Sequence, residues 1–184
     1  MAAAVKSKPG LKNRYNAAPK EVRDYFPHLV GLLDAFPLDV ALAYVFSRVE
    51  LAQNMTLYCG IVKRHKGNAA LARKAVDAHH MTRKDFVQKY EAIFGKVLSS
   101  GAAASLQAAE AIRDKVMHGK KTSDKEVRQA IANVLDYAQQ LNSDVSSLAG
   151  FKPFGDLRGF KGAAQSLDHS TTRWVLKGMG FPVS

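Results

Sequence analysis

Arg113, Asp114 and His118 have the residue types and the spacing that acid–base chemistry on a charged substrate would need. Asp114 and His118 are four residues apart, so on a helix their side chains stack on one face. A carboxylate in that position can accept one imidazole N–H, fix the tautomer and keep the ring basic. Arg113 lies about 140° around such a helix from His118, at about 100° per residue. The guanidinium and the imidazole therefore do not meet readily within one helix.

The stretch that must position them is AAASLQAAEAIRDKVMHGKK, Ala102 to Lys121. Ser105/Leu106, Ala109, Ile112 and Val116 recur at helical spacing and predict a buried stripe on the side away from Asp114 and His118. Gly119 supplies the left-handed residue that commonly closes a helix. The three polar residues thus fall at or beside a helix end.

The totals bound what surrounds this helix. A chain of 184 residues with 47% hydrophobic content reads as one domain with extensions and a real core. The formal charge of +11, from 27 Lys and Arg against 16 Asp and Glu, favours a polyanionic partner, nucleic acid before membrane. One cysteine, Cys59, excludes an internal disulfide and leaves too few thiols for a Cys-based zinc site. It sits in an apolar helical run and reads as a buried, inert thiol. The start, MAAAVKSKPGLKNR, is basic but lacks the apolar run of a secretory signal. The most apolar segment, Leu38 to Val62, is interrupted by Asp39, Arg48, Glu50, Gln53 and Asn54, so it is not read as membrane-spanning. The expectation is a soluble, cytoplasmic protein with no membrane partner.

No proline lies between Leu38 and Lys152, and proline breaks helix interiors. This gap predicts a helical body over 37–150, with an extension over 1–36 and a tail over 151–184. In the extension, Met1 to Asn16 reads as loose or laid over the surface. Pro19 opens a short helix, PKEVRDYF, that Pro27 ends, and HLVGLLDAF forms a second short piece. A long helix is expected from Pro37 or Leu38 to His65. One of its stripes is Leu38, Leu42, Val45, Val49, Ala52 and Cys59. The other is Tyr44, Leu51, Met55, Tyr58 and Val62, so two faces call for cover. Asn68 caps a helix reaching about His80, and Thr82 with Asp85 makes a capping box for RKDFVQKYEAIF. Gly95 to Gly101 is ambiguous. Ser123 and Glu126 make a capping box for a last long helix that Gly150 stops. The tail reads as turns with a short hairpin, then a helix, TTRWVLK, capped by Ser170 and ended by Gly178. The fold class is all-α: a bundle of four to five helices with an N-terminal helical arm and an irregular, Gly- and aromatic-rich C-terminal tail packed on it.

The helix ending AIRDKVMHGK resembles the signature of the HEPN superfamily: an Arg, usually a polar residue next, then four to six residues to a His near a helix end. Arg23 to His28 and Arg73 to His79 or His80 have similar spacings. Arg113 to His118 alone combines the right helix, a polar second residue and a Gly stop. The resemblance covers roughly residues 38–150 and implies an up-and-down bundle with the motif near the end of the third long helix. It also implies cleavage of single-stranded RNA, without metal or cofactor, by a homodimer whose two motif helices form one composite cleft. In that cleft His118 would move protons, Arg113 would bind the phosphate and Asp114 would orient. Lys115, Lys120 and Lys121 would hold flanking phosphates. Many nucleases of this family act as toxins in toxin–antitoxin or phage-defence systems, which would add an antitoxin as partner. A catalytically silent module that binds RNA, nucleotide or a partner protein is the alternative.

Other polar clusters read as structure. His79 and His80 point about 100° apart on a helix and make poor joint metal ligands. Ser166 to Ser170, SLDHS, places Ser, Asp and His as neighbours, whereas a triad converges from separate elements. The tail aromatics Phe151, Phe154, Phe160, Trp174 and Phe181 alternate with Lys152, Arg158, Lys161, Arg173 and Lys177. Packing onto the bundle is favoured for them over stacking on RNA bases.

Overall fold

The computed structural model describes residues 4–78 and 81–183. Within them the chain is an all-α helical bundle with no strand. The helices are α1 (Lys8–Ala17), α2 (Lys20–Tyr25), α3 (Leu29–Ala35), α4 (Leu38–Arg64), α5 (Ala69–Asp77), α6 (Arg83–Phe94), α7 (Ser100–Met117), α8 (Asp124–Ala149) and α9 (His169–Gly178). No described helix is long and apolar enough to cross a membrane. The chain divides into two compact units. One takes the chain up to Val49 with Ser99–Asp144 and Phe154–Asp156; the other takes Glu50–Leu98, Val145–Pro153 and the chain from Leu157 on.

The first unit contains α1 to α3, the first part of α4, α7 and most of α8. Its N-terminal stretch forms a helix with buried residues, where a segment either loose or laid over the surface was expected. Ser7 caps α1 by accepting the Gly10 N–H at 3.1 Å, and Leu11 and Tyr15 are buried. Val5 is buried too, and its N–H donates to Gln129 at 3.0 Å. Leu11 and Tyr15, four apart, share one face once the helix forms, and Val5 docks the chain just before it. Pro19 is the N-cap of α2 and not its first helical residue. Phe26 and Phe154 are fully buried, with ring centroids 5.8 Å apart. Buried Asn142 donates to the Phe154 carbonyl at 2.8 Å and accepts the Phe154 N–H at 2.7 Å. One amide side chain thus satisfies both polar groups of a buried backbone unit.

The second unit contains the rest of α4, α5, α6, the end of α8 and α9. Asn68 caps α5, Thr82 and Asp85 form the capping box of α6, and Gly95 closes α6 at φ 67°. The ambiguous segment after Gly95 is a connection that ends at Ser99, the N-cap of α7. α8 ends at Gly150, φ 69°, and its last carbonyls are met by cations from α4: Arg64 donates to Leu148 at 2.7 Å and Lys63 to Gly150 at 3.4 Å. The tail forms turns without a hairpin. Asp168, not Ser170, caps α9, accepting the Thr171 N–H at 2.9 Å.

The first α4 stripe is buried throughout. Of the second, Val62 is buried, Tyr44, Met55 and Tyr58 are half-buried and Leu51 is exposed. α4 passes α6 at Gly60, where a Cβ would lie 2.7 Å from Ile93 and 2.8 Å from Phe94. Gly60→Ala is therefore expected to destabilise the fold by about 1–3 kcal/mol through overpacking. Gly31→Ala, in α3 with open space around it, is expected to raise stability by about 0.4–1 kcal/mol. Urea unfolding followed by circular dichroism measures both.

Candidate functional site

α7 buries Ala102, Ser105, Leu106 and Ala109, and from Glu110 to Met117 it has no buried residue. Ile112 and Val116, expected in the buried stripe, are half-buried, and Met117 is 63% exposed. The last two turns of α7 therefore stand open to solvent, and these turns carry the motif. Arg113 has its guanidinium 5.3 Å from the ring centroid of Phe46, a buried residue of α4. A cation on an aromatic face is held by the ring quadrupole. Asp114 is exposed, with its carboxylate 3.8 Å from the Arg113 guanidinium.

His118 is the C-cap of α7, at φ −93° and ψ 14°, and it is exposed. Among the described residues its ring makes no hydrogen bond, so the expected Asp114–His118 pair does not form within one chain. The physical reason lies at the helix end. Stacking at four-residue spacing presumes that both residues are helical, whereas His118 sits where the backbone leaves the helix. Asp114 meanwhile has a full positive charge on its chain neighbour.

The helix stop is closed by backbone hydrogen bonds. Gly119 lies at φ 65°, its N–H donates to Val116 at 3.0 Å, and the Lys120 N–H donates to Lys115 at 2.8 Å. This pair of reversed bonds needs a left-handed residue, which Gly adopts without strain. The turn then runs into the capping box of α8. Ser123 donates its N–H and its hydroxyl to the Glu126 carboxylate, each at 2.8 Å, and the Glu126 N–H donates back to Ser123 at 3.3 Å. Lys115 reaches across to Glu126 at 3.3 Å. Of the three lysines assigned to phosphate, Lys115 is thus engaged at the cap. Lys120 and Lys121 are exposed in the turn, with no ion pair among the described residues. From Arg113 to Lys121, four cations face one carboxylate, Asp114.

Asp168 of SLDHS caps α9. No three described His, Cys, Asp or Glu side chains gather as a metal site would require; His79 and His80 lie outside the described residues. Burial pushes the Cys59 thiol up to about 12, which makes it unreactive. Phe151, Phe154 and Phe181 are buried and Phe160 is half-buried against Phe151, as packing requires. Trp174 departs from them at 76% exposure. Phe46 is the residue that sequence reasoning missed: nothing in a helical stripe marks which member supports a guanidinium from another helix. No family model, no curated protein and no solved structure matches this chain.

The Glu126 carboxyl is held at about 2 by the Ser123 N–H, then the Ser123 hydroxyl, then Lys115. A depressed carboxylate supports the folded turn fully above its ordinary range and loses that support as the pH falls toward 2. An NMR titration of the Glu126 side chain is expected to give a midpoint near 2, and Ser123→Ala should raise it. The same substitution is expected to cost about 0.5–2 kcal/mol as a lost N-cap.

Proposed function

We propose that this chain is an endoribonuclease that cuts single-stranded RNA without metal, at a cleft completed by a second copy. The observation that carries the reading is the open end of α7: half-buried Arg113 with exposed Asp114 and His118, on and just after two turns that hold no buried residue. The resemblance of this helix end to the HEPN signature supplies the reaction class. RNA brings its own nucleophile. The 2′-hydroxyl attacks the adjacent phosphorus, the bond to the 5′-oxygen breaks, and the products carry a 2′,3′-cyclic phosphate and a 5′-hydroxyl. The protein must take the proton from the 2′-oxygen, return one to the leaving 5′-oxygen and neutralise the crowded phosphate.

His118, exposed and without a side-chain hydrogen bond among the described residues, suits the proton work. Arg113, seated on Phe46, suits the phosphate, and Asp114 orients that guanidinium. Lys120 and Lys121 suit flanking phosphates. Arg113 and His118 diverge within one chain, so a two-fold partner presenting the same helix end would bring one chain's cation to the other's imidazole. Half-buried Ile112 and Val116 and exposed Met117 offer that partner an apolar seam. As a toxin, such an enzyme would be silenced by an antitoxin covering this same face.

Incubation of the purified protein with single-stranded RNA in EDTA tests the reading. Cleavage is expected, with cyclic-phosphate ends. His118→Ala should lower kcat by about 10²- to 10⁴-fold, and Arg113→Ala by about 10²- to 10³-fold. Absence of cutting, or cutting unchanged in His118→Ala, overturns it. RNA binding without cutting would leave the silent RNA-binding module in its place.

A further inference from the structure

The net charge of the chain is held unevenly. The unit made of Glu50–Leu98, Val145–Pro153 and the chain from Leu157 on carries 14 Lys and Arg against 5 Asp and Glu, whereas the other unit carries 13 against 11. Among those acids, Asp77 is engaged with Arg73 at 2.7 Å, Asp85 in the cap of α6 and Asp168 in the cap of α9. The basic excess of the protein is therefore a property of the unit that lacks Arg113 and His118.

Helix α9 presents this excess together with an aromatic ring. Its inner face is Thr172, Leu176 and, just beyond the helix end, Met179, all buried. Thr172 accepts the Asn68 N–H at 3.1 Å, and α9 packs on α5. The outer face is Arg173, Trp174 and Lys177, all exposed. Trp174 and Lys177 are three apart and Arg173 and Lys177 four apart, so the three share one surface. α9 has no acid beyond its cap, and the Asp168 carboxylate there accepts the N–H and the hydroxyl of Thr171 at 2.9 and 2.6 Å. Exposed Lys66 adjoins this helix, because its carbonyl accepts the Leu167 N–H at 2.7 Å.

A tryptophan commonly buries most of its large apolar surface. This one is 76% exposed, while Phe151 and Phe181 of the same unit are buried. An exposed ring flanked by cations on a rigid helix has the form of a stacking platform with phosphate contacts beside it. A membrane surface fits less well. A helix lying in a lipid interface turns a broad apolar face outward, whereas α9 turns its apolar residues in and exposes one ring among cations.

We propose that the outer face of α9 binds single-stranded nucleic acid, with an unpaired base on the indole of Trp174 and the neighbouring phosphates on Arg173 and Lys177. The site stands apart from the cleavage reading and is tested without it. Trp174 is the only tryptophan of the chain, so intrinsic fluorescence reports on this face alone. The probe is a short oligodeoxythymidylate, which has no 2′-hydroxyl and cannot be cut by the proposed reaction. Titration into the full chain at low salt is expected to quench the emission. Binding by Trp174→Ala, followed by anisotropy of a labelled probe, should weaken by about 5- to 150-fold, and Trp174→Phe should recover most of it. Arg173→Ala with Lys177→Ala should reduce the slope of log affinity against log salt by about 1.4, at about 0.7 per phosphate contact on a single strand. Unquenched emission with unchanged affinity in Trp174→Ala overturns the proposal. So does a response confined to anionic phospholipid vesicles, which would make the face a membrane contact. Binding that persists in His118→Ala is expected, because that substitution touches the other site.

Discussion

A helix cannot end in a protein until its last carbonyls find donors, and the candidate site depends on how α7 meets that demand. Gly119, at φ 65°, turns the chain so that its own N–H and that of Lys120 fold back onto Val116 and Lys115. Termination at this point makes His118 the cap residue and keeps it exposed. It also sends Lys120 and Lys121 outward into a turn only a few residues long, before Ser123 and Glu126 open the next helix. The Lys115–Glu126 ion pair closes the turn from the side. Local backbone bonding accounts for where His118, Lys120 and Lys121 stand.

On the proposed reading, the same helix leaves one chain incomplete. Its first half is buried and its last two turns are not. Burial of Leu106 and Ala109 anchors the helix; exposure beyond them leaves the motif on a firm support with a free outer side. Phe46 fixes the guanidinium from below, and Asp114 holds it from beside. The imidazole has no such companion among the described residues of its own chain. In the proposed proton-moving role it would gain from an orienting partner, which a second helix end would supply.

Much of this was legible in the residues. Capping boxes announced α6 and α8, Asn68 announced α5, and the proline-free span outlined the helices between α4 and α8, because these signals are local and obey short-range hydrogen bonding. The motif helix and its glycine stop were readable for the same reason. What failed was long-range. Val5 and Leu11 look dispensable in a basic leader until Gln129 and the body of the first unit give them a place. Ser170 and Asp168 are equally good caps on paper, and the geometry of the preceding turn selects Asp168. The Asp114–His118 pair was drawn from ideal helical spacing, which ends one residue too soon. The division into two units follows neither the extension nor the tail, since contacts between distant segments define it.

On the proposed reading, cleavage needs Arg113 of one copy and His118 of its partner at one phosphodiester. Arg113→Ala and His118→Ala chains, each assayed alone on single-stranded RNA in EDTA and then refolded together at the same total protein, are the decisive comparison. Each alone is expected to be nearly inactive, and the mixture to regain about a quarter of the wild-type rate, because half of the pairs are mixed and each of those holds one intact couple of guanidinium and imidazole. A mixture no more active than its components would mean that no site is shared between copies, and would rule the composite cleft out.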